Sequence, residues 1–272
     1  MQKNNTVKAI NKNVRSSQRK ISLVLDHIRG KKYTQEFTDN LSVLRKPTIR
    51  KAAKSKPYTK VEFLPDYERF GINKLTDDMF NLFKKRVYDI AAVTGKNVKV
   101  KFNGDVVPVK SFDQYVNMYI GEKSETKRIF EKVNDRWEVG VSLTPHDEFT
   151  QVSFVNGVYT SKGGKHVEYI LNQIVKKISE WIKKKKKIVV KPMTIKEQLM
   201  LFINCSIENP SFDSQTKEYM NTPVSKFGSK CEINDKFINK IIKLGVAESA
   251  ISLTEIKDKK SAKKTDGKKT KN

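Results

Sequence analysis

Residues 136–182 read RWEVGVSLTPHDEFTQVSFVNGVYTSKGGKHVEYILNQIVKKISEWI. Trp137, Val139, Val141 and Leu143 alternate with Arg136, Glu138, Gly140 and Ser142, the period-two pattern of a half-buried strand. Residues 149–155 read as its neighbour in a sheet. Val167, Ile170, Leu171, Ile174, Ile178 and Ile182 then recur at helical spacing and form one apolar stripe, the clearest helix in the chain. Five lysines, Lys183, Lys184, Lys185, Lys186 and Lys187, close it, where the carbonyl end of the helix dipole favours cations. Beyond them Leu199, Leu201, Ile203, Cys205 and Ile207 alternate again as a central strand.

Upstream, Thr76 with Asp77 and Asp78 makes a good helix start, hydroxyl cap first and carboxylates on the N-terminal dipole. Met79, Leu82, Phe83, Val87, Ile90 and Ala91 should share its buried face until Gly95 ends it. Val98, Val100 and Phe102, the pair Asn103-Gly104, and residues 106–109 read as a hairpin. Residues 112–120 form a short helix. Downstream, Phe237, Ile238, Ile241 and Ile242 predict a last helix ended by Gly245, and the chain beyond Glu255 reads as a Lys-rich tail. Strands alternating with crossover helices make residues 72–250 an α/β sandwich. Residues 1–20 are polar and basic with no call for a fold. In residues 21–71 short strands are expected at 21–26, 31–37 and 59–63, with 45–60 chiefly a basic connection.

The 272 residues carry 55 Lys and Arg against 30 Asp and Glu, a formal net charge of +25. Such a charge favours polyanions, because lysines on a nucleic-acid backbone release its condensed counterions; a set of solvated lysine-rich surfaces is the plain alternative. Cys205 and Cys231 are too few for a disulfide framework or a Cys-rich zinc site. His27, His146 and His166 are far apart and lack ligand spacing, so no metal site is expected. No apolar run approaches the roughly 18 residues of a membrane span, and the basic start lacks a signal-peptide core. A reduced, nuclear or cytosolic protein is expected.

Three strings carry more than a fold class. They are VSFVNG (152–157) with Thr160 and KGGKH (162–166), IENPSFDSQTKE (207–218), and FGSKC (227–231), with EKVNDRWEV (131–139) upstream. In this order they resemble the transducer segment of eukaryotic-type (type IIA) DNA topoisomerases, including those of large DNA viruses. The resemblance runs from about residue 21 to the C-terminus. It implies a ribosomal-protein-like transducer α/β sandwich with a left-handed crossover, preceded by a few strands left from a Bergerat-type ATPase domain. By the same resemblance Gln215, Thr216 and Lys217 form the loop that reaches the ATP γ-phosphate, with Lys217 the catalytic cation. Thr59 matches a threonine near the adenine, or is an ordinary strand residue. Lys183, Lys184 and Lys185, with Lys186 and Lys187, match a cluster that touches double-stranded DNA. His166 reads as structural.

The resemblance also implies a homodimer using ATP and Mg²⁺, nuclear, or cytoplasmic if viral. Departures are as informative. There is no Asp-x-Gly-x-Gly adenine box and no glycine-rich lid of the kind whose backbone amides cradle phosphates. Glu36 and Asn40 have the spacing of the family's acid–asparagine pair but fall where the family has a late strand. The chain stops about where the metal-binding cleavage domain, with its acidic cluster and DNA-attacking tyrosine, would begin. On its own the chain is therefore expected neither to bind ATP well nor to cut DNA. Missing ATPase and cleavage domains are its expected partners, with no membrane. A stand-alone nucleic-acid-binding protein that has lost the chemistry, or a subunit of a split topoisomerase, are the alternatives.

Overall fold

The computed structural model of the chain describes residues 31–38, 42–51, 65–95, 97–146 and 148–266. The chain divides into two compact units, residues 1–77 and 78–272. In the first, strand β1 (Lys31–Thr34) pairs antiparallel with β4 (Thr48–Lys51), and β2 (Phe37–Thr38) with β3 (Val43–Leu44) between them. The expected basic connection at 45–60 is thus corrected: its residues 48–51 are a strand, paired from Thr34↔Thr48 to Lys31↔Lys51. Thr48 and Ile49 supply the β-branched content, which the surrounding Lys and Arg obscured. The strands expected at 21–26 and 59–63, Thr59 included, lie outside the described residues.

The second unit is built on a five-stranded sheet. Its strands are β7 (Arg128–Asn134), β8 (Trp137–Leu143), β9 (Thr150–Val155), β10 (Val158–Tyr159) and β12 (Leu199–Cys205), in the order β10-β9-β12-β8-β7. The minor pairs are β5 (Lys101–Phe102) with β6 (Asp105–Val106), and β11 (Gly163–Gly164) with β13 (Tyr219–Met220). Strand β12 is central as expected, but it separates β8 from β9, which were read as neighbours. It runs antiparallel to β8 (Leu199↔Leu143) and parallel to β9 (Met200↔Thr150). A parallel pair needs a crossover, and helix α3 (Lys165–Lys186) with the short α4 (Pro192–Lys196) supplies it.

The sheet is covered on both faces, so β8 is not half-buried. Trp137, Val139 and Val141 enter one core with Leu199, Leu201 and Ile203 and the whole predicted stripe of α3. On the other face Phe130, Val152, Phe154, Met200 and Phe202 pack with helix α1 (Asp77–Val93) and α2 (Phe112–Ile120). Gly140 is buried between them because a β-carbon there would lie 3.2 Å from both Phe130 and Phe202. Gly140, which suggested a wet face, instead makes room for rings, and buried Ser142 spends its hydroxyl on the Lys127 carbonyl.

Helix α1 starts and stops as predicted but turns a different face inward. Asp89, Ala91 and Ala92 are buried, while Leu82, Phe83 and Ile90 are 49%, 40% and 51% exposed. Two alanines let the rings of Phe112 and Tyr115 approach, and buried Asp89 is held by the Tyr115 hydroxyl and by Lys85 Nζ at 3.0 Å. The last helix is also corrected. After α5 (Asp235–Lys243), Gly245 (φ 102°) is followed by α6, Val246–Asp266, so residues 256–266, read as part of a Lys-rich tail, are helical. Val246, Ala247 and Ala250 anchor it in the core, and Ala, Glu and Lys are good helix formers that carry it on.

Candidate functional site

Strand β12 ends at Cys205, and the chain then builds a loop held at every step by polar pairs. Asn156, in the left-handed turn between β9 and β10, clamps Ile207: its Nδ2 donates to the Ile207 carbonyl and its Oδ1 accepts from the Ile207 amide, both at 2.8 Å. Glu208 donates its amide to Phe227 O, and its carboxylate meets Arg136 at 2.9 Å. The Ser211 amide donates to Thr222 Oγ1 at 2.7 Å, and Phe212 bridges Met220. Asp213 accepts from the Tyr219 amide at 3.4 Å, and the Lys217 amide donates to Ser214 O at 3.1 Å. The result is a closed tip, residues 214–217, with Gln215 and Thr216 exposed.

A second set of contacts fastens this loop to the start of α3. Gly163 and Gly164 pair in parallel with Tyr219 and Met220. Lys162 Nζ lies 2.6 Å from Glu218, and the Tyr219 hydroxyl donates to Glu168 at 2.9 Å, with Lys165 2.8 Å from the same carboxylate. The Lys165 hydrogen bond first, then that of Tyr219, holds the Glu168 carboxyl below its ordinary range, while donating to Glu168 pushes the Tyr219 phenol up. Lys162 is raised by its bond to Glu218. Lys162 and Lys165, which fasten the loop to α3, each have a carboxylate partner; Lys217 does not. Among the described residues it has no ion pair; its ammonium stands 5.8 Å over the Phe212 ring, at the outer limit of a cation–π contact. Lys217 is also left-handed (φ 59°), a conformation that costs a non-glycine residue roughly 1–2 kcal/mol and that the loop's closure maintains.

His166 is fully buried beside the Thr160 hydroxyl, 3.3 Å from its Nε2, in a network with Ser153. Burial pushes its pKa down to about 3. It is a neutral packing residue, as expected. Lys183, Lys184, Lys185 and Lys186 form the last turn of α3 and Lys187 caps it with φ 61°; all five are exposed. The structure thus brings Gln215, Thr216 and Lys217 together on one loop. It leaves the lysine run at the far end of a 22-residue helix, about 33 Å long. The pairs Lys162–Glu218 and Glu168–Tyr219 were not anticipated. Partners 56 and 51 residues apart leave no periodic signal. Among the described residues no group of three or more His, Cys, Asp or Glu could hold a metal ion, and no helix is long and apolar enough to cross a membrane.

The DNA gyrase B family matches residues 111–271. DNA topoisomerase 2 of Arabidopsis thaliana is 47% identical over 252 residues, 90% of this chain and 17% of that protein. DNA topoisomerase 2 of Acanthamoeba polyphaga mimivirus is 42% identical over 248 residues, 90% of this chain and 19% of that protein. The chain thus spans less than a fifth of the length of these relatives. Among solved structures, the ATPase region of Saccharomyces cerevisiae topoisomerase II superposes with a TM-score of 0.77 at 38% identity, over 92% of this chain and 60% of that one. The ATPase and transducer domains of DNA topoisomerase II from Balamuthia mandrillaris give 0.80 at 35% identity, over 94% and 62%.

Proposed function

The chain belongs to the DNA gyrase B and DNA topoisomerase 2 family, and from that premise we propose that it serves as the transducer segment of an ATP-dependent type II topoisomerase, preceded by the last strands of a Bergerat-type ATPase domain. The unit that starts near Asp78 is the transducer in this reading. Its partners are the remaining ATPase and cleavage domains, a second copy of itself, and double-stranded DNA.

The observation that carries the reading is Lys217. It is the single cation of residues 208–220, it has no ion pair among the described residues, and it stands on a tip closed by the loop's own backbone. A lysine ammonium is a compact point charge with three donors, suited to the oxygens of a transferring phosphoryl group. Gln215 adds a neutral amide donor and Thr216 a hydroxyl. When ATP is bound with Mg²⁺ by the rest of the enzyme, the phosphoryl group is the electrophile. Lys217 then steadies the negative charge that develops on its oxygens. Lys183, Lys184 and Lys185 contact the transported duplex through its phosphates.

The test is Lys217→Ala in the complete enzyme, or in this chain reconstituted with an ATPase domain. Turnover should fall by about 10²–10³, the loss typical of one preorganised oxyanion donor, while nucleotide affinity and thermal stability change little. Lys217→Arg should recover part of it. Unchanged turnover, or a loss matched by unfolding, overturns the assignment. A stand-alone nucleic-acid-binding protein is the second reading, favoured by the net charge of +25. It requires that reconstitution restore no ATP turnover at all.

A further inference from the structure

We propose that the groove between the start of β7 and the last turn of α5 is a second site for the sugar–phosphate backbone of duplex DNA, continuous with Lys183–Lys187 in one basic rim. It rests on the reading of the chain as a DNA-contacting transducer, and extends it to residues that no motif selects.

The groove has a volume of about 300 Å³. Lys123 and Lys127 line it from the loop that enters β7, Lys240 and Lys243 from α5, with Ile129 and Leu244 as its apolar lining. Arg128 also borders it, but its guanidinium is occupied: it donates to Gly121 O at 3.0 Å and to Asn117, and lies 3.5 Å from Asp113. Lys240 is drawn to Glu131 at 3.6 Å. Lys123, Lys127 and Lys243 are exposed and have no carboxylate partner among the described residues. The nearest acids in the loop are engaged by neutral donors: Glu122 accepts from Asn117 at 2.7 Å, and Glu125 from the Glu122 amide at 3.2 Å. Three unpaired ammonium groups around one groove repel each other, and a polyanion relieves that repulsion with release of its counterions.

The topology sets this groove beside the lysine run. Arg128↔Ser142, Leu199↔Leu143 and Met200↔Thr150 are paired, so β7, β9 and β12 begin at the end of the sheet where β8 finishes. The end of α5 reaches that same place, since a β-carbon on Gly245 would lie 3.9 Å from Leu143 Cδ1. Helix α3 runs toward this end: the Tyr169 ring lies 6.0 Å from that of Trp137, the first residue of β8, and farther along Lys177 meets Asp235 at the start of α5 at 2.7 Å. Its 22 residues span about 33 Å, against about 23 Å for the seven-residue β12. A helix longer than the strand it returns to carries its C-terminal lysines toward the end of the sheet that holds the groove. Cations from the β7 entry, the α3 end and the α5 end thus form a band wider than a peptide motif needs, which favours a nucleic-acid duplex over an acidic protein segment.

The experiment measures binding of the whole chain to a labelled mixed-sequence duplex by anisotropy over a salt series. Three variants of equal net charge are compared: K123Q/K127Q/K243Q at the groove, K183Q/K184Q/K185Q on α3, and K226Q/K230Q/K236Q as a control away from the rim. The groove variant should bind more weakly and flatten the log affinity against log salt slope by up to about 0.9 per lysine. The control should keep the wild-type slope, and arginine at the three groove positions should restore it. A groove variant with the wild-type slope, beside an α3 variant that loses it, overturns this site and leaves the DNA reading standing. Wild-type chain without salt-dependent duplex binding overturns both. Equal losses in groove and control variants would reduce the effect to net charge and overturn the site. So would polyglutamate binding that depends on the groove lysines while duplex binding does not.

Discussion

Gly164 should be the least replaceable glycine of the chain, and the reason can be weighed against two neighbours. It has φ 142° and pairs with Met220, so a β-carbon would lie 2.2 Å from the Met220 carbonyl oxygen and 2.6 Å from its nitrogen. Those atoms are backbone of a fully buried residue and cannot swing aside. Backbone strain of about 1–3 kcal/mol adds to about 1–3 kcal/mol for overpacking, so Gly164→Ala should cost about 2–6 kcal/mol. Gly163 (φ 73°) would meet only side chains at 3.4–3.5 Å, leaving the left-handed cost of about 1–2 kcal/mol. Gly228 is the discriminating case. Its β-carbon would also fall 2.2 Å from an atom, but that atom is Glu208 Cδ, on a side chain 56% exposed. Glu208 can turn outward and lose its exposed pair with Arg136, worth about 0–1 kcal/mol, so Gly228→Ala should cost about 1–3 kcal/mol. The entropy that alanine removes from the unfolded chain, about 0.4–1 kcal/mol, is common to all three. Urea unfolding of the full chain followed by far-UV circular dichroism measures the series. Equal losses at Gly164 and Gly228 would refute the distinction between a backbone and a side-chain obstacle. A Gly164 variant as stable as the Gly163 one would refute the tight pairing of β11 with β13.

Tyr115→Phe removes the hydroxyl that donates to buried Asp89; a bond to a charged group is worth about 1.5–3 kcal/mol, and a urea midpoint unchanged from wild type would contradict it. His166, held neutral with its pKa pushed down to about 3 by burial, should make stability depend on pH. Between the ordinary value of 6.5 and about 3 the unfolded chain binds a proton that the folded chain does not, so stability falls as pH falls, by at most about 1.4 kcal/mol per pH unit. His166→Gln should remove that slope, measured by denaturation across the window, and an unaltered slope would assign it to other groups.

Elements whose burial follows a single face were legible from residue order alone. The α3 stripe is buried at all six predicted positions, and α2 begins at Phe112 because the Ser111 hydroxyl accepts the Gln114 amide. What failed was whatever depends on a second face or a distant partner. In β8 the residues opposite Val139 and Val141 looked solvent-facing because Gly140 and Ser142 are small. The missing side chain of Gly140 is what admits Phe130 and Phe202 from the neighbouring strands, and buried Ser142 donates to the Lys127 carbonyl. In α1 the large apolar residues carry the stripe, whereas the contact uses Ala91, Ala92 and an acid, Asp89, whose burial is explained by Tyr115, Lys85 and Arg86. The insertion of β12 between β8 and β9 is invisible in any local window. It follows from a crossover whose return strand could have joined either side.

The site divides in the same way. Gln215, Thr216 and Lys217 were reached through a resemblance carried by their string, and chemistry alone would have left Lys217 as one lysine among many. The structure adds that its ammonium has no ion pair among the described residues, while Lys162 and Lys165, which fasten the loop to the start of α3, are each paired. If the two proposed lysine roles hold, their placement also keeps them from competing, although they sit 30 residues apart in sequence. Cations of the α3 end placed beside Lys217 would draw the same phosphate away from it. A helix of about 33 Å separates them by about four Debye lengths at physiological salt, each about 8 Å. Charge at one end of α3 is therefore screened from the other. Any influence of the loop on the basic end must travel through the packed helix, from the Gly163–Gly164 pairing and the Tyr219–Glu168 bond at its start to Lys183 at its last turn.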